Sequence, residues 1–227
     1  MSAQLWSAVD EYVEQQLLGE DPVLAAAIAD SAAAGLPAIA VSPAQGELLN
    51  LLARIHGTRR ILELGTLGGY STICFARALA PGGALVTLEL EAHYAAVAAA
   101  NIERAGLLDL VELRVGPALA SLDALIAEGG DSFDLVFIDA DKRSTPEYFE
   151  RALKLCRAGS VVIVDNVVRD GALIDPDSSD PGVLGMRRFH ELLAAEREGT
   201  RRLSATTIQT VGSKGYDGFT VVLVETL

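Results

Sequence analysis

The 227-residue sequence is poor in positive charge and in aromatic rings. Lys and Arg number 18 against 31 Asp and Glu, a formal charge of −13, and Phe, Trp and Tyr make up 5%. Nucleic-acid binders neutralise phosphates with basic patches and stack bases on aromatic rings, so this composition argues against such a partner. The same negative field repels anionic membrane surfaces. Cysteine is scarce as well: Cys74 and Cys156 are the only two and form no CxxC pair. Both read as small buried residues rather than as a disulfide. Long apolar runs are missing; stretches such as 135–138 and 161–164 have strand length, far below the roughly 20 residues of a membrane-crossing helix. The first 18 residues carry Asp10, Glu11 and Glu14 and lack the basic start and continuous apolar run of a secretion signal. A soluble, cytoplasmic protein without a membrane partner is the expectation.

Half of the residues are hydrophobic, ample for a sizeable core. Three helical patterns come first, at 3–18, 22–34 and 43–55, with Asp21-Pro22 and Ser42-Pro43 as start signals and Gly35 and Gly57 as stops. Then short apolar runs at 60–64, 84–90, 110–115, 133–138 and 160–164 alternate with helical segments at 70–79, 92–105, 118–127 and 146–155. Strand–helix alternation at this spacing predicts βαβ units and a doubly wound, Rossmann-like parallel sheet covered on both faces. An acidic, turn-rich loop at 170–182 leads to a helix near 183–197. Two strands follow, at 202–208 and 219–224, joined by a loop over 209–218 rich in Gly, Lys and Tyr. Strands so close in sequence pair antiparallel. There is no repeat, low-complexity tract or linker, which predicts one domain over 1–227.

Ligands of open α/β sheets collect beyond the carboxyl ends of the strands, so the residues there carry the chemistry. The first strand ends in Glu63-Leu64-Gly65-Thr66-Leu67-Gly68-Gly69-Tyr70-Ser71 and runs into a helix. The glycines permit positive φ and close approach to a ligand. Leu67 stands where a dinucleotide fingerprint has its second glycine, and the acid at 63 would repel a pyrophosphate and welcome a cation. Glu89, at the end of the second strand, is placed to accept hydrogen bonds from ribose hydroxyls. Together these features fit S-adenosylmethionine, whose amino group and sulfonium are positive; a turn serving only helix–sheet packing is the alternative. The fourth strand ends in Asp139-Ala140-Asp141-Lys142 and the fifth in Asp165-Asn166. Neighbouring strands lie about 4.8 Å apart, so Asp139, Asp165 and Asn166 would converge. Two carboxylates and an amide oxygen suit Mg²⁺ or Ca²⁺ rather than zinc, unless the acids merely cap helices. Lys142 is one of only three lysines, with Lys154 and Lys214, in a chain that otherwise uses arginine. An amine that can lose its proton beside acids points to a base, against the plainer reading of a charge partner for Asp141 or Glu147.

These residues, with Val115-Gly116-Pro117-Ala118, resemble the metal-dependent catechol and caffeoyl-CoA O-methyltransferases, in order and spacing from about Val41 to Leu223. The resemblance implies a seven-stranded class I methyltransferase sheet with an antiparallel last strand, and a homodimer, with the helices of 1–57 contributing to dimerisation and to the cover of the active site. It implies cofactor contacts from Val41, Glu63, Gly65, Thr66, Ser71, Glu89, Ala118 and Asp141. It further implies Mg²⁺, Ca²⁺ or Mn²⁺ on Asp139, Asp165 and Asn166, with Lys142 as the base. Plant members carry a tryptophan and a substrate-contacting asparagine where this chain has Arg169 and Asp170, and the loop 209–218 looks longer than usual. The acidic segment 170–180 also disfavours a polyanionic coenzyme A tail. The expected reaction is therefore methyl transfer to one hydroxyl of a small vicinal aromatic diol. Ile39, Arg169, Asp170, Lys214 and Tyr216 are candidates for the substrate wall, and His56, His93 and His190 read as structural. The rivals are a nicotinamide-dependent oxidoreductase on the same sheet and a dimeric cofactor-binding module without turnover.

Overall fold

The computed structural model describes residues 3–199 and 202–226. Proline-led starts set several helices. In α2 (Pro22–Ala33) the Asp21 carboxylate accepts the Val23 and Leu24 amides at 3.0 Å each. In α3 (Pro43–His56) Ser42 caps the Gln45 amide, and left-handed Gly57 ends the helix. A shorter-range cue, Asp180-Pro181, opens α8 (Pro181–Glu198) in the same manner, two residues ahead of the expected start. Helix α1 (Ala3–Leu17) buries none of its residues. Among the described residues no helix is long and apolar enough to cross a membrane.

The chain divides into two compact units, Met1–Ala118 and Leu119–Leu227. The first holds the parallel strands β1 (Arg60–Leu64), β2 (Ala84–Glu89) and β3 (Val111–Val115) in the order β3-β2-β1, with Leu64 opposite Leu88 and Glu89 opposite Val115. Helices α4 (Tyr70–Ala78) and α5 (Ala92–Arg104) follow β1 and β2. Ala27, Ile73, Ala98 and Ile102 form a buried cluster in which small side chains let α2 approach both helices. Gly46 of α3 does the same against α4: a Cβ there would lie 2.9 Å from the Tyr70 ring and 3.0 Å from the Cys74 sulfur.

The second unit pairs β4 (Phe133–Ile138) with β5 (Cys156–Asp165) in parallel, then adds β7 (Gly215–Val224) antiparallel to β5 and β6 (Leu203–Gly212) antiparallel to β7. Among the described residues the sheet has seven strands, in the order β3-β2-β1-β4-β5-β7-β6, mostly parallel with its last strands antiparallel, as expected. Helix α6 (Ala118–Glu128) opens at the boundary between the units; α7 (Thr145–Lys154) and α8 belong to the second, where the Phe149 and Phe189 rings meet edge to face at 5.1 Å. One expectation is corrected. Residues 209–218 are not a loop: both strands continue through them to a two-residue turn, with Gly212 paired to Gly215 and Thr210 to Asp217. Glycine and aspartate are poor strand formers on their own, and the cross-strand ladder overrides that preference.

Gly185 of α8 lies directly on the segment after β4, where a Cβ would come within 2.1 Å of the Lys142 carbonyl oxygen and 2.9 Å of the Arg143 Cα. Backbone cannot yield as a flexible side chain does, so Gly185→Ala is expected to cost about 1–3 kcal/mol in urea unfolding; an unchanged midpoint would contradict this packing. Burial pushes the Cys74 and Cys156 thiols up to about 12, leaving a thiolate fraction on the order of 1 in 10,000 at pH 8. Both are expected to resist iodoacetamide at that pH in the folded protein and to react fully in guanidinium, read by mass spectrometry. Fast labelling of either native thiol would overturn this picture.

Candidate active site

In the first unit, the end of β1 turns sharply. Gly65, Leu67 and Gly69 all take positive φ, at 96°, 51° and 83°. For Leu67 that conformation costs roughly 1–2 kcal/mol and needs external support. Glu89, nearly buried at the end of β2, supplies it: Oε2 accepts the Leu67 amide at 2.8 Å and the Thr66 amide at 3.2 Å, while Oε1 accepts the Glu91 amide at 3.0 Å. The acid expected to face a ribose thus also shapes the turn. A Cβ at Gly68 would lie 1.9 Å from the Ser31 hydroxyl, so a larger residue there would displace that side chain, and the Gly68 carbonyl accepts the buried Asn101 amide at 2.9 Å.

Glu63 differs from expectation more strongly. It does not stand at the lip of the turn; it is fully buried beneath it. Its carboxylate accepts the hydroxyls of Ser71 at 2.6 Å, Thr72 at 2.5 Å and Thr87 at 2.7 Å. Since Thr87 gives its proton to Glu63, the 2.6 Å contact between Thr66 and Thr87 has Thr66 as donor. Hydrogen bonds to an ionised acceptor are worth about 1.5–3 kcal/mol each, which offsets the desolvation of the carboxylate. Thr72 and Thr87 escaped the sequence reading; hydroxyls inside otherwise apolar runs were the available signal. Helix α4 starts at Gly69 with no side-chain cap, and first-turn amides of a helix attract anionic groups. Val41 is buried just ahead of Ser42, Ile39 is 68% exposed on the preceding turn, and Ala118 opens α6 half-buried.

In the second unit the β4–β5 register pairs Ile138 with Val164, which sets Asp139 opposite Asp165 at the strand ends. Asp165 is buried, and its Oδ1 accepts the Asn166 amide at 2.8 Å. Asn166 takes φ 54°. Lys142 Nζ donates to Asp139 Oδ1 at 2.5 Å. Its partner is therefore Asp139, not Asp141 or Glu147. Asp141 instead accepts the Ser144 amide at 3.0 Å and the Tyr148 hydroxyl, and Glu147 pairs with Arg188. Burial, with Asp141 beside it, pushes the Tyr148 phenol well above its usual range, so it stays a proton donor to Asp141.

Among the described residues no three His, Cys, Asp or Glu side chains form a metal-binding group; the set here reaches three donors only with the Asn166 amide. Its oxygens fit a hard divalent cation, and the ammonium already resting on Asp139 marks that carboxylate as a seat for positive charge.

Beyond Asn166 the chain stays in left-handed conformations at Arg169, Asp170 and Gly171. The Tyr216 ring lies against Gly171, where a Cβ would be 3.4 Å from it, and the Tyr216 hydroxyl donates to Gln209. Tyr216 thus lies beside the loop that carries Arg169 and Asp170, whereas Lys214 sits on the hairpin turn and Ile39 belongs to the first unit. Asp217, unnoticed in the sequence, holds this loop: its Oδ1 accepts the Val168 amide at 2.8 Å and the Arg169 amide at 3.0 Å. The histidines are structural as read, His56 bonding to Thr58, His93 to the Ala34 carbonyl and His190 to the Met186 carbonyl and Thr207.

A family model described as O-methyltransferase matches residues 15–213. The catechol O-methyltransferase of Niastella koreensis is 48% identical over 225 residues, covering 99% of this chain and all of that protein. The catechol O-methyltransferase of Mycobacterium tuberculosis is 50% identical over 95% of this chain and 94% of its own. Among solved structures, an O-methyltransferase from Bacillus cereus in complex with SAH superposes with TM-score 0.95 at 55% identity, covering 98% of this chain and 100% of that one. TomG from Streptomyces achromogenes, in complex with SAM, gives 0.93 at 53% identity over 99% of each chain. With the profile spanning most of the sequence and relatives about half identical along nearly its whole length, the chain belongs to the S-adenosylmethionine-dependent O-methyltransferase family.

Proposed function

We propose that this chain moves the methyl group of S-adenosylmethionine to one hydroxyl of a small vicinal aromatic diol, with a divalent metal, Mg²⁺ foremost, held by Asp139, Asp165 and Asn166. The observation that carries this reading is that Asp139 and Asp165 directly follow the paired residues Ile138 and Val164, with Lys142 Nζ 2.5 Å from Asp139. Two relatives named catechol O-methyltransferase at about half identity support the diol.

In the first unit, Glu89 keeps lone-pair capacity on Oε1 for a ribose hydroxyl, and the uncapped start of α4 suits the carboxylate of the donor's amino-acid end. Gly65, Thr66 and Ser71 line that turn, and Glu63 fixes the Ser71 hydroxyl. Val41, Ala118 and Asp141 complete the proposed donor contacts, Asp141 with its carboxylate steadied by Tyr148. In the second unit, Asp139, Asp165 and Asn166 would hold the metal ion, which would supply Lewis-acid chemistry that lowers the pKa of the hydroxyl to be methylated. Lys142 acts as base once it has given up one ammonium proton to solvent: the neutral Nζ takes the hydroxyl proton and becomes ammonium again, positioned by Asp139. The oxygen then forms its bond to the methyl carbon as the carbon–sulfur bond breaks, leaving S-adenosylhomocysteine. Arg169, Asp170, Tyr216, Lys214 and Ile39 are assigned to the acceptor's surroundings. Asp170, Asp175, Asp177 and Asp180 on the segment after β5 make a small neutral diol a better acceptor than a coenzyme A ester.

On this reading the whole chain works as one methyltransferase domain. It acts in the cytoplasm as a homodimer, joined through the first helices, where Val9, Tyr12 and Ile55 expose 51%, 65% and 81% of their surface. Labelled methyl transfer to catechol, caffeate and caffeoyl-CoA tests the reaction. The diols are expected to be turned over well above the coenzyme A ester, to stop with exhaustive chelation and to recover with Mg²⁺; activity indifferent to chelation would remove the metal from the scheme. Lys142→Ala is expected to lower kcat by about 10²–10⁴ at neutral pH, and an unchanged kcat would deny Lys142 its role as base.

A further inference from the structure

Four of the six residues from Asn166 to Gly171 have positive φ: Asn166 at 54°, Arg169 at 55°, Asp170 at 54° and Gly171 at 84°. Asn and Asp tolerate this region and Gly is at home in it, but Arg169 gains nothing from its own side chain there. At a non-glycine position such as Arg169 this conformation costs about 1–3 kcal/mol, so such a run persists only where its surroundings impose it.

What imposes it is the arm of the β6–β7 hairpin. Because Asp165 pairs with Phe219, residues 215–218 run past the carboxyl end of β5 and lie beside the loop. There the Asp217 Oδ1 accepts the amides of Val168, Arg169 and Gly218 at 2.8, 3.0 and 2.9 Å, and the Gly218 carbonyl accepts the Val167 amide at 3.0 Å. Three consecutive amides directly after Asn166 are thereby tied to two residues of β7. The close approach needs glycine at 218, where a Cβ would lie 2.4 Å from the Ile208 carbonyl oxygen and 2.8 Å from a Val168 methyl. Val167 and Val168 are buried, so the loop is pinned from its apolar side as well.

We infer that Asp217 is a positioning residue for the cation site: through the Val168 and Arg169 amides it holds the left-handed loop that presents the Asn166 side chain next to Asp165 and Asp139. This rests on the proposed metal role of those three residues. Without the Asp217 carboxylate, the Val168 and Arg169 amides of the loop, and that of Gly218, lose their acceptor; the loop relaxes toward negative φ, carrying the Asn166 oxygen away while Asp139 and Asp165 stay at their strand ends. Groups that support a metal ligand from behind are worth 10–100-fold in affinity.

The test uses the full-length protein as wild type, Asp217→Ala, Asp217→Asn and Asp165→Asn. Mn²⁺ affinity is measured by electron paramagnetic resonance without substrate, and amide hydrogen exchange is followed over 166–171. Asp217→Ala is expected to weaken Mn²⁺ binding by about 10–100-fold and to free the 168 and 169 amides. Asp217→Asn, which keeps an acceptor oxygen, should fall between it and wild type and serves alone if the alanine variant does not fold. In turnover the midpoint of metal activation should move while kcat at saturating Mn²⁺ is largely regained; a merely destabilised protein would lose amplitude without moving the midpoint. Unchanged protection at 168 and 169, or freed amides with undiminished Mn²⁺ affinity while Asp165→Asn loses binding, overturns the inference. Wild type that does not bind Mn²⁺ at all, or Asp165→Asn that binds it as well as wild type does, overturns the metal reading itself and the inference with it.

Discussion

The pairing of β4 with β5 sets the chemistry of the second unit. With Ile138 opposite Val164, an aspartate follows the pair on each chain segment: Asp139 just past the end of β4 and Asp165 as the last residue of β5. Two carboxylates at neighbouring strand ends, one of them buried, repel each other unless a cation stands between or beside them. The Lys142 ammonium answers part of that need on Asp139. It is carried there by a segment on which α8 rests through Gly185. A slip of one residue in the pairing would move one aspartate along its strand relative to the other and turn it to the opposite face of the sheet, so strand register and site geometry share one constraint.

The first unit uses its two acids in another way. Glu63 and Glu89 are both buried, yet neither is left to repel the other elements of the turn. Glu63 is satisfied by three hydroxyls and Glu89 by three backbone amides. The result is a preorganised turn in which the left-handed Leu67 is held by an acid on the next strand. A donor entering such a turn meets groups already in position and loses less free energy in ordering them.

Much of this was legible in the residues. Apolar runs marked the strands, and the polar residue that follows each run marked Glu89, Asp139, Asp165 and Asn166, because an abrupt change from apolar to acidic at a strand end has few packing reasons. Asp-Pro and Ser-Pro pairs marked α2 and α3. The hairpin was not legible: Gly212, Gly215, Asp217 and Gly218 have turn-like preferences, and only the ladder between β6 and β7 makes them strand. Asp180-Pro181 was hidden in an acidic stretch. The burial of Glu63 and the grip of Asp217 depend on donors 8 to 49 residues away, and no local pattern reports such pairings. For the same reason the partner of Lys142 emerged only in three dimensions.

The central claim, a divalent cation held by oxygens of Asp139, Asp165 and Asn166, is open to one direct measurement. Crystals grown with Mn²⁺ and S-adenosylhomocysteine should give a single strong anomalous-difference peak with those three side chains at coordination distance, about 2.0–2.3 Å, water completing the shell. A peak at another place, or none at full Mn²⁺ saturation with Lys142 still bonded to Asp139, would contradict the account.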